Sequence, residues 1–291
     1  MASFTNQATL SYRGGSATSN LVTGEVVSTL SAEKTAVGGQ YVPGGTLTYV
    51  ISLRNTGDTP LTALTVSDDL GGYPFEGETL YPLAYETGSL LLYVDGVLQA
   101  QPAVTPGPPL VVTGLTIPAG SSAVLVYGTR VTEYAPLGSG ASVTNTADLS
   151  DPGQAVLASA QAAVTPDDRA RLAVTKALSP QQVSYNDQVT YTFQVENRGG
   201  AAGPEDLTAL TDTFDPILTG IAVTLDGEAR TSPAFYSYDE ATGLFTTAPG
   251  QITVPAASFA QNPDGSWSTL PGTAEITVTG TLAGAQTEKR P

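Results

Sequence analysis

The chain has 291 residues, 41% of them hydrophobic, with no Cys, no His and a formal net charge of −16 from 27 acidic and 11 basic residues. That composition supports a packed core, and it excludes disulfides, thiolate chemistry, the usual zinc sites and any Ser-His or Cys-His nucleophile. The acidity argues against nucleic acid and anionic membranes as partners, and no stretch reaches the ~20 apolar residues of a membrane-spanning helix, so no membrane insertion is expected.

The head, Met1-Ala2-Ser3-Phe4-Thr5-Asn6, lacks the basic region and apolar run of a signal peptide, so a different export route, or release by lysis after assembly, is expected. Two strand-like segments follow in it, Ser3–Leu10 and Asn20–Val26. A first module is expected over 29–166 and a second over 167–291, leaving 1–28 as a separate segment. The modules repeat each other in order. Ala32-Glu33-Lys34-Thr35-Ala36 matches Val174-Thr175-Lys176-Ala177-Leu178, and Thr46–Gly57 matches Gln188–Gly199, with Lys34 and Tyr49 spaced as Lys176 and Tyr191 are. Val66-Ser67-Asp68 matches Leu210-Thr211-Asp212. The Asp95-Gly96 and Asp226-Gly227 pairs read as hairpin turns. Leu115–Ala119 matches Ile252–Ala256, and Ala123–Thr129 matches Ala274–Thr281. Alternation of apolar and polar residues between turn signals predicts an all-β chain of two tandem immunoglobulin-like antiparallel sandwiches.

Module one then continues through Ser142–Leu149 and a strand near Val156–Val164, for which module two offers no counterpart. The head supplies one: Ser3–Leu10 repeats Ser142–Leu149 in type and order, and Asn20–Val26 stands where the last strand should. The few residues between Val26 and Leu30 reach about 15 Å, too short to span a module of roughly 40 Å built from strands of ~5–10 residues. The second sandwich is therefore expected to be completed by the N-terminal strands of a neighbouring subunit, a head-to-tail contact that propagates as a filament. The donor-strand interface is expected to use Phe4, Asn6, Ala8, Leu10, Leu21, Val22 and Val26.

Leu172-Ala173-Val174-Thr175-Lys176, Val189–Asn197 and Val143-Thr144-Asn145-Thr146-Ala147 resemble the DUF-eleven conserved-repeat family of bacterial surface proteins. The resemblance implies an immunoglobulin-like fold, a fibre, cell-surface or spore-appendage setting, an extracellular location and no enzyme activity. The split second module departs from the family pattern.

Lys34, Lys176 and Lys289 are the only lysines, and two of them occupy matched positions. Asn145 and Asn6 match, as do Asp68 and Asp212. Lys, Asn and a carboxylic acid are the set needed for a spontaneous isopeptide bond: burial favours the neutral amine as nucleophile, and the acid polarises the amide and moves the proton. The set resembles that of collagen-adhesin-type domains of Gram-positive pilins. Lys34, Asn145 and Asp68 would then staple module one, and Lys176 with Asp212 would meet Asn6 of the next subunit. The alternative reading is plain Lys–Asp ion pairs with Asn side chains in turn or ladder hydrogen bonds. Asn55-Thr56-Gly57 and Asn197-Arg198-Gly199 read as turns, and no cofactor or metal is expected. Thr105–Thr113 and Asn262–Ser268 read as loops free to bind a ligand, which keeps an adhesin or ligand-binding surface module as the alternative to a self-assembling structural subunit.

Overall fold

The computed structural model describes residues 2–26 and 28–284, with the backbone alone of Ala2 and Val26; Lys289 lies outside the described residues. Strands dominate, and the chain divides into two compact units, one of residues up to 136 with 140–166, the other of residues from 167 onward with 137–139.

The head forms a ribbon of four short strands, β1 (Ala2–Asn6), β2 (Thr9–Tyr12), β3 (Gly15–Thr18) and β4 (Val22–Val26). β1 pairs antiparallel with β4, Phe4 opposite Gly24 and Asn6 opposite Val22. β2 pairs with β3, Leu10 opposite Ala17. The expected single strand from Ser3 to Leu10 is thus interrupted at Gln7-Ala8. The return strand carries one extra residue there, a bulge: the Ala8 N–H donates to Ser19 Oγ at 2.9 Å, and the Gln7 side-chain amide to the Ser19 carbonyl at 2.8 Å.

Module one contains β5 (Leu30–Val37), β6 (Gln40–Tyr41), β7 (Thr46–Asn55), β8 (Leu61–Asp68), β9 (Tyr73–Phe75), β10 (Glu78–Leu80) and β11 (Leu83–Tyr85). Then come β12 (Leu91–Val94), β13 (Val97–Leu98), β14 (Ala103–Thr105), β15 (Leu110–Ile117), β16 (Ser122–Val131), β17 (Val143–Ser150) and β18 (Val156–Pro166). One sheet has the order β13-β12-β16-β7-β5, with β11 also on β16; the other has the order β14-β15-β8-β17-β18-β6. β18 also lies beside β5, where the two sheets meet. Alternation on β7 and β16 sends Leu47, Tyr49, Ile51, Leu53, Leu125 and Tyr127 inward, and Leu64, Val66, Ala147 and Leu149 face them from the second sheet, all buried.

Module two contains β19 (Leu172–Ser179), β20 (Gln188–Asn197), β21 (Thr211–Thr213), β22 (Leu218–Leu225) and β23 (Glu228–Arg230). It continues through β24 (Tyr236–Asp239), β25 (Leu244–Thr247), β26 (Ser258–Gln261), β27 (Trp267–Leu270) and β28 (Gly272–Leu282). The sheet β19-β20-β28-β22-β23 repeats the lysine-bearing sheet of module one. Against it, among the described residues, stands the sheet β21-β25-β24, and β26 and β27 form a separate hairpin. Lys34 pairs with Ile51 and Lys176 with Phe193, so the register of β5 on β7 recurs in β19 on β20. The Asp-Gly pairs are hairpin turns as expected: Asp95 and Gly96, and likewise Asp226 and Gly227, have positive φ between Val94↔Val97 and Leu225↔Glu228.

One expected loop is corrected and the other is shortened to 262–266. Thr105–Thr113 is not a loop: Leu110–Ile117 forms β15, which pairs with β8 and β14, because Leu110, Val112, Leu115 and Ile117 have a core to fill, and only Pro106–Pro109 turns. Asn262–Ser268 is the tip of the β26–β27 hairpin, closed by the Ser266 carbonyl accepting from the Asn262 N–H at 2.8 Å.

Candidate ligation sites and donor ribbon

Lys34 stands on β5 with its side chain wholly out of solvent, and Asp68 ends β8 across the core. Their Nζ and Oδ2 are 2.7 Å apart. Asp68 Oδ2 also accepts a short hydrogen bond from the Tyr127 hydroxyl, and Oδ1 accepts from the Leu70 N–H at 3.0 Å. Burial is the main influence on Lys34 and pushes its ammonium below the ordinary lysine value, against the Asp68 charge, which acts to raise it. Burial likewise raises the Tyr127 and Tyr49 phenols, with the Asp68 charge adding to it.

Asn145 completes the cluster. Ala147 of β17 lies opposite Asp68, so Asn145 is its diagonal neighbour on the same inward face. It is fully buried beside Tyr49 and Tyr127, and its amide is near enough to both phenols to hold their pKa back slightly. The approach nevertheless falls short of hydrogen-bond geometry, and among the described residues neither Nδ2 nor Oδ1 has a partner. A buried amide with both polar atoms unmet costs on the order of 1–3 kcal/mol per lost partner. It is also what an acyl donor in a dry cluster looks like.

Module two carries the same pair without the third member. Lys176 Nζ contacts Asp212 Oδ2, but their side chains keep 39% and 19% of their exposure. The ammonium sits over aromatic faces, 4.5 Å from the Tyr191 centroid and 5.4 Å from those of Phe193 and Phe214. Toward Leu172 this inward face is bare, while Leu178 at its other end packs on the core. Leu172 and Val174, which pair with Asn197 and Val195 and so point the same way, are 40% and 54% exposed, whereas Leu30, the counterpart of Leu172 on β5, is buried. Tyr191 is half-buried where Tyr49 is fully buried. Asp69 in module one bonds Thr146 of β17 through its N–H and its carboxylate. Thr213, next after Asp212, donates its N–H instead to its own neighbour's carboxylate.

The ribbon shows the complementary pattern. Phe4, Leu10, Leu21 and Val22 are each more than half exposed, and Asn6 and Ala8 are exposed too; Val26 is described in backbone only, and Leu21 lies just before β4. Phe4 folds its ring across Gly24, where a Cβ would come within 2.4 Å of it. Aligning Asn6 with Asn145 brings Ala8 onto Ala147, Leu10 onto Leu149 and Phe4 onto Val143. The partner strand agrees: Asn145 faces Ala162 in β18 as Asn6 faces Val22 in β4, and both hairpins break register by one residue toward the turn.

The sequence reading identified Lys34, Asp68 and Asn145, and the structure gathers them in one buried cluster. It missed Tyr127, whose place opposite Tyr49 on the neighbouring strand was the available signal. It also read Asn55 and Asn197 as simple turn residues. Both are fully buried ties between loops: Asn55 Nδ2 donates to the Thr59, Ile117 and Pro118 carbonyls, and Asn197 accepts from the Arg171 and Gly199 N–H groups. Among the described residues there is no group of three or more acidic, His or Cys side chains that could hold a metal, and no helix long and apolar enough to cross a membrane.

No family model and no curated protein matches the chain. Solved structures give low-identity matches. The major pilin subunit BcpA of Bacillus cereus is 12% identical over 93% of this chain and 73% of its own, with a TM-score of 0.34. The major pilin SpaD of Corynebacterium diphtheriae is 13% identical over 83% of this chain and 59% of its own, at 0.34. The collagen-binding domain of a Staphylococcus aureus adhesin is 13% identical over 50% of this chain and all of its own, at 0.30. Neither residue roles nor binding partners transfer at these scores. The all-β, sheet-on-sheet architecture stands on the strands themselves.

Proposed function

We propose that this protein is a structural subunit of a surface or spore-appendage filament that polymerises head to tail by strand complementation. The observation that carries the proposal is the pairing of two unmet surfaces in one chain. The inward face of β19 lies open at Leu172, Val174 and Lys176, and the ribbon exposes Phe4, Asn6, Ala8 and Leu10 in the pattern that β17 uses to close module one. In the register of module one, Ala8 of one copy faces Asp212 of the next and Leu10 faces Leu210. Burying the ribbon's large apolar side chains supplies on the order of 10 kcal/mol before entropy losses, at about 1.5–3 kcal/mol each. Strand addition also satisfies the open edge of β21. Purified protein should form filaments above a threshold concentration, seen by electron microscopy, and removal of residues 1–27 should abolish them. Filaments from the truncated chain would sink the proposal.

Within module one the buried cluster serves as a staple. The neutral Lys34 amine attacks Asn145 Cγ, forming the Nζ–Cγ bond. The Cγ–Nδ2 bond breaks, and the Asp68 carboxyl carries the amine's proton to the departing nitrogen, which leaves as ammonia. The buried Asn145 amide without partners, on the diagonal from the acid to which the desolvated amine is bonded, supports this step. Intact mass should fall short of the sequence mass by one ammonia in the unassembled chain and by none in Lys34→Arg.

A further inference from the structure

The two lysine sites differ in one respect that bears on timing. Every wall of the Lys34 site comes from its own module, and no water reaches the amine. The Lys176 site has its carboxylate and three aromatic rings in place but stays open to solvent on the side where β17 and β18 stand in module one. What it lacks is what the ribbon displays: an asparagine at the matched position, flanked by Phe4 and Leu10 to exclude water.

From this we infer that Lys176 and Asp212 form the amine half of a split ligation site, held idle in the free subunit and switched on when the ribbon of a second copy seats Asn6 and seals the cavity. The inference rests on the strand-complementation reading. Seating does three things at once. It delivers the acyl group, stacks Phe4 and Leu10 over the open face, and removes the water that solvates Lys176 and Asp212. The chemistry is then that of module one. Lys176 Nζ bonds to Asn6 Cγ of the incoming chain, the Asn6 Cγ–Nδ2 bond breaks, and the Asp212 carboxyl passes the amine's proton to the leaving nitrogen, so each junction releases one ammonia. Docking precedes bonding, so a misdocked subunit can still dissociate, while a correctly seated one is fixed permanently. The open site also leaves Lys176, unlike Lys34, within reach of any reagent or enzyme that modifies amines before assembly.

Two measurements on the full chain test this. First, the subunit held below its assembly concentration is treated with formaldehyde and cyanoborohydride, and methylated lysines are mapped by mass spectrometry. Lys176 should be labelled at least about tenfold more than Lys34, and in assembled filaments that labelling should disappear. Second, filaments are sampled over time, boiled in detergent and run on a gel. Early samples should collapse to monomer and late ones should run as a ladder, each rung one further ammonia short. In Lys176→Arg and Asn6→Ala, with protein concentration raised until microscopy shows filaments, those filaments should always boil down to monomer. Wild-type filaments that never become resistant to boiling, or a ladder that persists in Lys176→Arg, overturn the split site while leaving filament assembly standing. Equal labelling of the two lysines in the free subunit overturns the gating. Absence of filaments at any concentration overturns the complementation reading itself.

Discussion

Module one and module two present the same lysine, the same aspartate and the same strand register, yet the first pair is dry and the second is wet. The difference does not lie in the residues themselves. It lies in the two strands β17 and β18, which close module one over Lys34, and which module two does not have among its described residues. An ion pair or reactive cluster is thus set by what covers it as much as by what composes it. Tyr49 and Tyr191 make the same point with uncharged side chains, one fully buried and one half-buried at matched positions.

Substitutions at the two sites put this contrast to the test, and the largest effect is expected at Asn145. If Lys34 and Asn145 are bonded, Asn145→Ala opens a long covalent loop and should cost about 4–5 kcal/mol by the loop-closure arithmetic used for cross-links. If they are not bonded, the same change removes an unsatisfied buried amide and should be neutral or mildly stabilising, so the sign of the change in urea midpoint decides. Next is the aspartate pair. In an Asn145→Ala background, where no bond can form, Asp68→Ala leaves a buried lysine without its counter-ion and should cost about 3–5 kcal/mol. Asp212→Ala, at a partly exposed pair, should cost at most about 1 kcal/mol in the free subunit, and equal losses in chemical denaturation would contradict the contrast. Third, Phe4→Ala should leave subunit stability unchanged, because the ring is exposed, but raise the assembly threshold by one to two orders of magnitude, about 1.5–3 kcal/mol of lost burial, measured by light scattering.

The smallest effect is in the pH profile of module one. Tyr49 and Tyr127 have folded pKa values raised above the ordinary tyrosine value, so their contribution is fully present below about pH 10 and is lost as pH rises beyond it. An unbonded Lys34 acts in the opposite sense. Its folded pKa is lowered, so the buried ammonium is a penalty below that value, and the penalty is relieved as pH climbs toward the ordinary lysine range. Thermal melts of Asn145→Ala should therefore show stability rising toward about pH 10 before it falls, whereas a wild-type module with Lys34 in an amide should show the fall alone.

Much of this was legible in the sequence because repeats align like with like. The matched lysines, aspartates and asparagines, the Asp-Gly turns and the strand alternation all follow from comparing the chain with itself. The burial of Asn55 and Asn197 was not legible, because a turn motif carries no information about which carbonyls will surround it. The same limit hid the break at Gln7-Ala8, since alternation of side chains reads straight through a one-residue bulge. Thr105–Thr113 reads as a long loop, but the apolar residues at Leu110, Val112, Leu115 and Ile117 outweigh that once a facing sheet exists to receive them.

The placement of β18 beside β5 has a mechanical meaning. These are the strands by which the backbone enters and leaves module one, so tension on the two ends of the module would be applied to neighbours and not across the whole sandwich. A bond from Lys34 on β5 to Asn145 on β17, the strand hydrogen-bonded to β18, would join the entering strand covalently to the neighbour of the leaving one. Under stretch it would carry the force itself, and the intervening strands, from β7 through β16, would remain slack.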